Sequence, residues 1–395
     1  MSGSSAQDQA SISRRRDGPL ASVAVSRPGL LELYGTCAPQ ETIGADDAAA
    51  EAREVYGALD SWLRENGAVG VQERIFGSLK HRQAILAERE AALGAVPEPG
   101  LWPATFVQGA PCDRDGLAGV HLYAVAGPKC SPIHDEGRLW GVVFEHGDAR
   151  HVHLSGLCGP GSAGSRQEEA RAMFARADAA LRATGCSYAD VVRTWIYVAD
   201  ILDWYDQFNS IRSAIYSELC PVAESGSRWL PASTGIEARP PAGAPCVMDL
   251  FALGGAGRRR VSVEAVHNPL QSEAYSYGSA FSRGTAAAFD GAETVHVSGT
   301  AAVDEQGRSV CVGDCRAQVS RTLDHIAALL NTRRMTLDDF VSSTIFIKHG
   351  QDATAVRQFI DQRGGRLANS IYVAADICRP ELLFEADGIA VRALA

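Results

Sequence analysis

The sequence predicts an α+β protein in which mixed β-sheets carry helices on their outer faces and close about an axis as a pseudo-threefold barrel of fused modules. An internal repeat and the order of elements within each copy carry that prediction. HVHLSG ends at Gly156 and TVHVSG ends at Gly299. Each alternates as a half-buried strand does and stops on a glycine, where the backbone turns sharply or lets another group come close. A fainter version, LELYGT, ends in Gly35-Thr36, as the last copy has Gly299-Thr300.

The segments that follow match in order. RQEEARAMFARADAALRATG (166–185) and CRAQVSRTLDHIAALLNTRR (315–334) place apolar residues at helical spacing, and the first stops on glycine. SYADVVRTWIYVAD (187–200) and TLDDFVSSTIFIKH (336–349) each read as a short turn and then a β-branched, aromatic strand. Second helices follow at 204–219 and 353–365. ASTGIEA then leads to CVMDLFAL, and NSIYVAA to LLFEADGIAV. The later copy is longer by part of DEQGRSVCVGD, an extended hairpin. The fainter copy has helices at 46–66 and 80–93, the strand VQERIFGS between them, and HLYAVAG (121–127) in the place of DLFALGG (249–255). Each unit therefore reads strand pair, helix, strand, helix, strand pair. One sheet with two helices on one face leaves its other face bare, and three such sheets around an axis would cover one another.

The expected organisation is a disordered tail at 1–18, too polar to pack, a divergent module at 19–130, and further modules at 131–255 and 256–395. Of the 395 residues, 46% are hydrophobic and 21% charged, ordinary globular proportions. No apolar run is long enough to span a membrane, and the first residues lack the apolar core of a secretory signal. A cytoplasmic protein is the expectation. The formal net charge of -10 argues against nucleic-acid binding and requires local arginines for any anionic ligand. The ten cysteines form no CxxC pair, which suits reduced thiols; Cys311 and Cys315 flank VGD in an expected hairpin. His151 and His153 alternate on one strand with no third ligand beside them. There is no P-loop pattern, and neither a metal nor a cofactor is implied.

The unit order, with VSG, DDFVSSTIFI and LLFEADGIAV, resembles the RidA/YjgF family of small trimeric proteins, whose ligand sites lie between subunits. RTWIYVADILDWYDQFNSIRSAIY and AFSRG are similar to segments of the chorismatases, which release pyruvate from chorismate. The resemblance implies a small-molecule enzyme, monomeric or homo-oligomeric. Within it, Glu385 falls at the active-site glutamate of both families. Cys378 and Gly284 match the branch that forms 3-hydroxybenzoate. A dihydroxycyclohexadiene acid or 4-hydroxybenzoate is the alternative product. Imine-deaminating relatives carry an arginine where this chain has Ser370, with Ser233 as its counterpart in the middle unit. That substitution argues against deamination, and a non-catalytic binder is the third reading.

The residues add their own case. A carboxyl such as Glu385 in an apolar strand would have a raised pKa and could deliver a proton. Cys378 could relay a proton or exclude water, although a bland buried thiol is the commoner case. Arg283 and Arg193 are candidates for the two substrate carboxylates, since guanidinium matches carboxylate bidentately. Arg193, Trp195 and Tyr197 alternate on one face, opposite Val192, Thr194, Ile196 and Val198. Tyr197 and Thr234 complete the candidate binding set, with Thr234 as a hydrogen-bond donor. Arg212 reads first as a helix-surface ion pair and second as a substrate contact, and Asn209 as a cap or a ligand contact.

Overall fold

The computed structural model describes residues 10–40, 47–94, 102–162, 164–222, 228–255, 261–363, 367 and 369–394. They build three six-stranded sheets of identical connectivity. In the first module β1 (Ser11–Asp17), β2 (Leu20–Arg27) and β3 (Leu30–Cys37) form a meander. Helix α1 (Ala48–Asn66) leads to β4 (Val69–Gly77), and α2 (Arg82–Leu93) leads to β5 (Ala104–Gln108), parallel to β4. The last strand, β6 (Leu117–Ala126), lies between β3 and β4.

The second module repeats this plan with β7 (Ser131–Asp135), β8 (Arg138–His146), β9 (Ala149–Leu157), α3 (Arg166–Ala183), β10 (Val191–Val198), α4 (Ile201–Leu219), β11 (Ala232–Glu237) and β12 (Cys246–Gly254). The third uses β13 (Ser262–Val266), β14 (Gly284–Phe289), β15 (Ala292–Ala301), α5 (Cys315–Asn331), β16 (Phe340–Ile347), α6 (Ala353–Gln362), β17 (Ser370–Ala374) and β18 (Phe384–Ala393).

Local chemistry explains where the helices begin. Asp47, Ser165, Asp314 and Asp352 each accept a hydrogen bond from a backbone N–H of the first turn, satisfying a donor that the helix itself leaves open. In the strands, one alternating set faces the helices. Phe384, Ala386 and Ala390 of β18 pack with Val319, Leu323 and Ile326 of α5. The other set faces the barrel interior: Ile389 and Val391 join Trp195, Tyr197 and Phe76 from the other two modules. Full burial of each such side chain is worth roughly 1.5–3 kcal/mol.

The ring closes through three equivalent seams: β5 lies on β9, β11 on β14 and β15, and β17 on β3 and β6. The expected pseudo-threefold barrel is therefore present, with some departures in detail. The 1–18 tail is one: Ser11–Asp17 forms β1 and pairs along its whole length with β2. Its polar side chains face solvent from an edge strand, and Arg14 Nη1 donates to the Phe340 carbonyl at 2.7 Å, tying the first module to the third. Residues 1–9 lie outside the described set. Each module accordingly opens with three strands, where the sequence suggested two. A bulge at Val192 resets the alternation of β10, so Val192 packs with Phe251 and Ala287 while Thr194, Ile196 and Val198 keep their expected side. Bulges recur at the matching places of β4 and β16. Cys315 opens α5 behind the Asp314 cap, while Val303 bridges Ser309 to close the hairpin before it.

Candidate active site

Strand register makes the seams comparable position by position. Thr344, Trp195 and Arg74 pair with Asp387, Asp249 and His121; Phe346, Tyr197 and Phe76 pair with Glu385, Val247 and Gly119. On the neighbouring parallel strands the matching residues are Ile371, Thr234 and Thr105. Across the first seam, Thr105 Oγ1 donates to Asp249, which also accepts the Gly156 amide at 2.8 Å. Across the second seam, Thr234 Oγ1 donates to Asp387 Oδ2 at 2.6 Å. At the third seam the partners have become Ile371 and His121, with no carboxylate. Only the second seam carries Glu385, because its counterparts are Val247 and Gly119.

Glu385 is buried on the inner face of β18, two residues from Asp387 and therefore beside it. A Cβ built on Gly299 would clash with Glu385 Oε1 and sit 3.2 Å from Thr234 Cγ2. The glycine of TVHVSG thus leaves space for the carboxyl. Among the described residues none hydrogen-bonds that carboxyl. Burial, and then the negative charge of Asp387, push its pKa up to about 8 against the pull of Arg193. At neutral pH Glu385 is a carboxylic acid with a proton to give.

Arg193 is fully buried, pairs with Asp387 at 2.9 Å and donates to Thr234 Oγ1 at 2.6 Å. Its Nε and Nη1 have no hydrogen-bond partner. Burial brings its pKa down to about 10. Arg212 is not on the helix surface. It points inward from α4, fully buried, and donates to Asn209 Oδ1 at 2.6 Å and Ser233 Oγ at 3.4 Å, leaving its Nε unpartnered. No carboxylate pairs with it among the described residues. Asn209 is thereby a ligand of this guanidinium and not a cap. Ser233 also accepts from Thr194 at 2.9 Å, and Ser370 pairs with Ser343 at 2.6 Å.

Cys378, half-buried in the loop before β18, lies within electrostatic reach of Glu385 and Arg212. Burial and then the Glu385 charge raise its thiol to about 12, so it is protonated. Tyr205 of α4 joins the same group: burial and then Cys378 raise its phenol, which also interacts with Asn209. A cleft lined by Trp204, Tyr205, Cys378 and Arg379 opens to solvent beside this cluster.

Three candidates are engaged by other contacts. Arg283 directs Nε and Nη2 at the Ser272 carbonyl, at 3.0 and 2.7 Å, and its guanidinium shares the Phe281 ring with that of Arg212, 5.8 and 5.4 Å from the centroid. A side chain at Gly284 would meet the His296 carbonyl at 3.0 Å and Leu329 of α5 at 3.4 Å, so this position faces the helix layer. Tyr197 packs edge-on against Phe76 in the barrel interior. His151 and His153 lie among aromatic rings, and no group of three metal-ligating side chains exists among the described residues.

Asp387 and Tyr205 were not singled out from sequence. Asp387 had a signal, its period-two spacing from Glu385. Tyr205 had one as well, its i, i+4, i+7 spacing with Asn209 and Arg212 along α4.

The endoribonuclease L-PSP family model matches residues 149–239 and 280–392, which fall in the second and third modules. A 3-hydroxybenzoate synthase of Streptomyces hygroscopicus is 26% identical over 282 residues, covering 65% of this chain and 78% of that protein. A chorismatase of the same species is 26% identical over 330 residues, covering 76% and 89%. A chorismatase crystal structure superposes with a TM-score of 0.60 at 20% identity, over 82% of this chain and 93% of that one, which shows the shared fold.

Proposed function

The chain belongs to the endoribonuclease L-PSP family, and on that premise we propose that it is a chorismatase that converts chorismate to 3-hydroxybenzoate and pyruvate. The observation that carries the reading is Glu385: one buried, protonated carboxyl at one of three equivalent seams, with unpaired arginine donors nearby. Chorismate is a dianion whose enolpyruvyl ether cleaves once its methylene carbon is protonated. Glu385 gives that proton and turns the vinyl ether into an oxocarbenium. Asp387, held by Thr234 and Arg193, remains close by with its negative charge balanced.

Arg212, through its free Nε and its reach to Ser233, takes a substrate carboxylate at the position left open by the missing deaminase arginine. With water kept out, the C4 oxygen attacks C3, the C3–O bond breaks with release of pyruvate, and ring opening with loss of a proton yields 3-hydroxybenzoate. Cys378 borders the cluster and acts directly on this outcome by filling space. Gly284 acts at one remove, through how closely β14 packs on α5. Arg283, held on the Ser272 carbonyl, is the candidate for the second carboxylate only if that carbonyl releases it.

The test is incubation of the pure protein with chorismate and identification of products by chromatography and mass. Pyruvate with 3-hydroxybenzoate supports the whole reading. Pyruvate with a diene acid or 4-hydroxybenzoate keeps the enzyme class and removes the product assignment, and the absence of pyruvate removes both. If the assigned steering holds, a Cys378→Ala, Gly284→Ala double variant shifts product toward the diene acid.

A further inference from the structure

A cavity of about 50 Å³ lies inside the barrel, lined from all three modules by residues including Arg74, His153, Trp195, Phe251 and His296. It is separate from the Glu385 cluster, which does not line it. Its walls hold an unusual set of unsatisfied polar atoms. Arg74 Nη1, both ring nitrogens of His151 and of His153, and Nδ1 of His296 are buried without a partner. Buried polar groups are ordinarily hydrogen-bonded, so a set this large around one space points to an occupant.

The charges of the wall say what kind. Glu32 is taken by Arg27 at 2.6 Å. Asp249 accepts from Thr105 and the Gly156 amide, and it makes no ion pair with Arg74. Burial keeps His151 and His296 neutral, at about 4 and about 3. Arg74 is 6% exposed and no carboxylate pairs with it among the described residues. Its guanidinium lies 4.0 Å from the Trp195 ring centroid, and a second guanidinium, Arg193, lies 4.7 Å from the same ring. Two guanidiniums thus share one indole: Arg193 is in contact with Asp387, whereas Arg74 has Asp249 within electrostatic reach but in no ion pair, and interacts with the Tyr197 phenol. Its Nη1 is left without a partner, and a buried charged donor left unpaired is unfavourable.

Size narrows the class. A water needs about 10–15 Å³ of such space, and a cavity that admits benzene measures about 150 Å³. An aromatic acid is therefore too large, whereas a halide fits. We propose that the axial cavity is a built site for a small monovalent inorganic anion of halide size, held by the guanidinium of Arg74 with neutral imidazole N–H groups completing its shell. The site is independent of the reaction at Glu385.

Bromide is the probe. The full chain is melted in sodium gluconate and in sodium bromide at equal ionic strength, gluconate being too large to enter. Bromide should raise the melting temperature saturably, by about 2–4 °C. Crystals grown in bromide should show an anomalous peak beside Arg74, which tests the site without any variant. Arg74→Met should lose the bromide response. Equal melting in the two salts with no peak would overturn the proposal, as would a response that rises without saturating or persists in Arg74→Met.

Discussion

Under the proposed reaction, Glu385 combines two roles that oppose each other. Its folded-state pKa of about 8 stands above its ordinary 4.5. Between those values the folded protein holds a proton that the unfolded chain has released, so this residue's contribution to stability declines as pH rises from about 4.5 through 8. Glu385→Gln should therefore melt higher than the parent above pH 8 and differ little near pH 5. The same variant should lose chorismate turnover by about 10²–10⁴-fold, the usual worth of a positioned general acid. In the parent, turnover should fall as pH passes 8, because the acid form disappears. A kcat profile that stays flat to pH 9 would remove Glu385 as donor. Gly299→Ala checks the geometry from the other side. A methyl group there displaces the carboxyl, and turnover should drop about 10²-fold, as expected for a misplaced catalytic group.

At the scale of elements, much was legible because each helix and inner strand carries its own periodic signal. The helices at 166–183 and 315–331 and the strands at 191–198 and 340–347 lie within the segments read from sequence. Features that depend on partners were not legible. SISRRRD has no apolar face, so nothing in it announces a strand; it pairs because β2 offers an open edge. Arg212 sits in a helix whose spacing suits a surface ion pair, and only docking of α4 over Ser233 brings it inside. Glu385 and Cys378 were singled out by resemblance and Thr234 as a hydroxyl donor in PASTGI, and the structure brings the three to one seam. Strand β1 also yields a prediction. Deleting residues through Asp17 removes the edge strand and the Arg14–Phe340 link between modules, so the melting temperature should fall by several degrees. Unchanged melting would mean that the strand contributes nothing to closure.

Across the whole molecule, the seams can be separated by equivalent substitutions. Thr105→Val and Thr234→Val each remove one hydroxyl donated to a buried aspartate, and each should cost about 1–3 kcal/mol of stability. Only Thr234→Val should also slow turnover, by about tenfold, because only its aspartate stands beside Glu385. Paired denaturation and kinetic measurements distinguish the two; equal kinetic effects would show that the seams are not functionally distinct.

The chain joining the three modules has a consequence for how such a site can change. In a ring of three identical subunits every substitution appears three times, so a change that sharpens one cleft is imposed on the other two and on every contact the ring needs to close. Here the equivalent positions differ: Val247 and Gly119 stand where the third module has Glu385. The covalent link therefore lets each seam carry its own residues. One cleft can drift toward a larger or drier substrate while its two siblings absorb the load of holding the barrel shut.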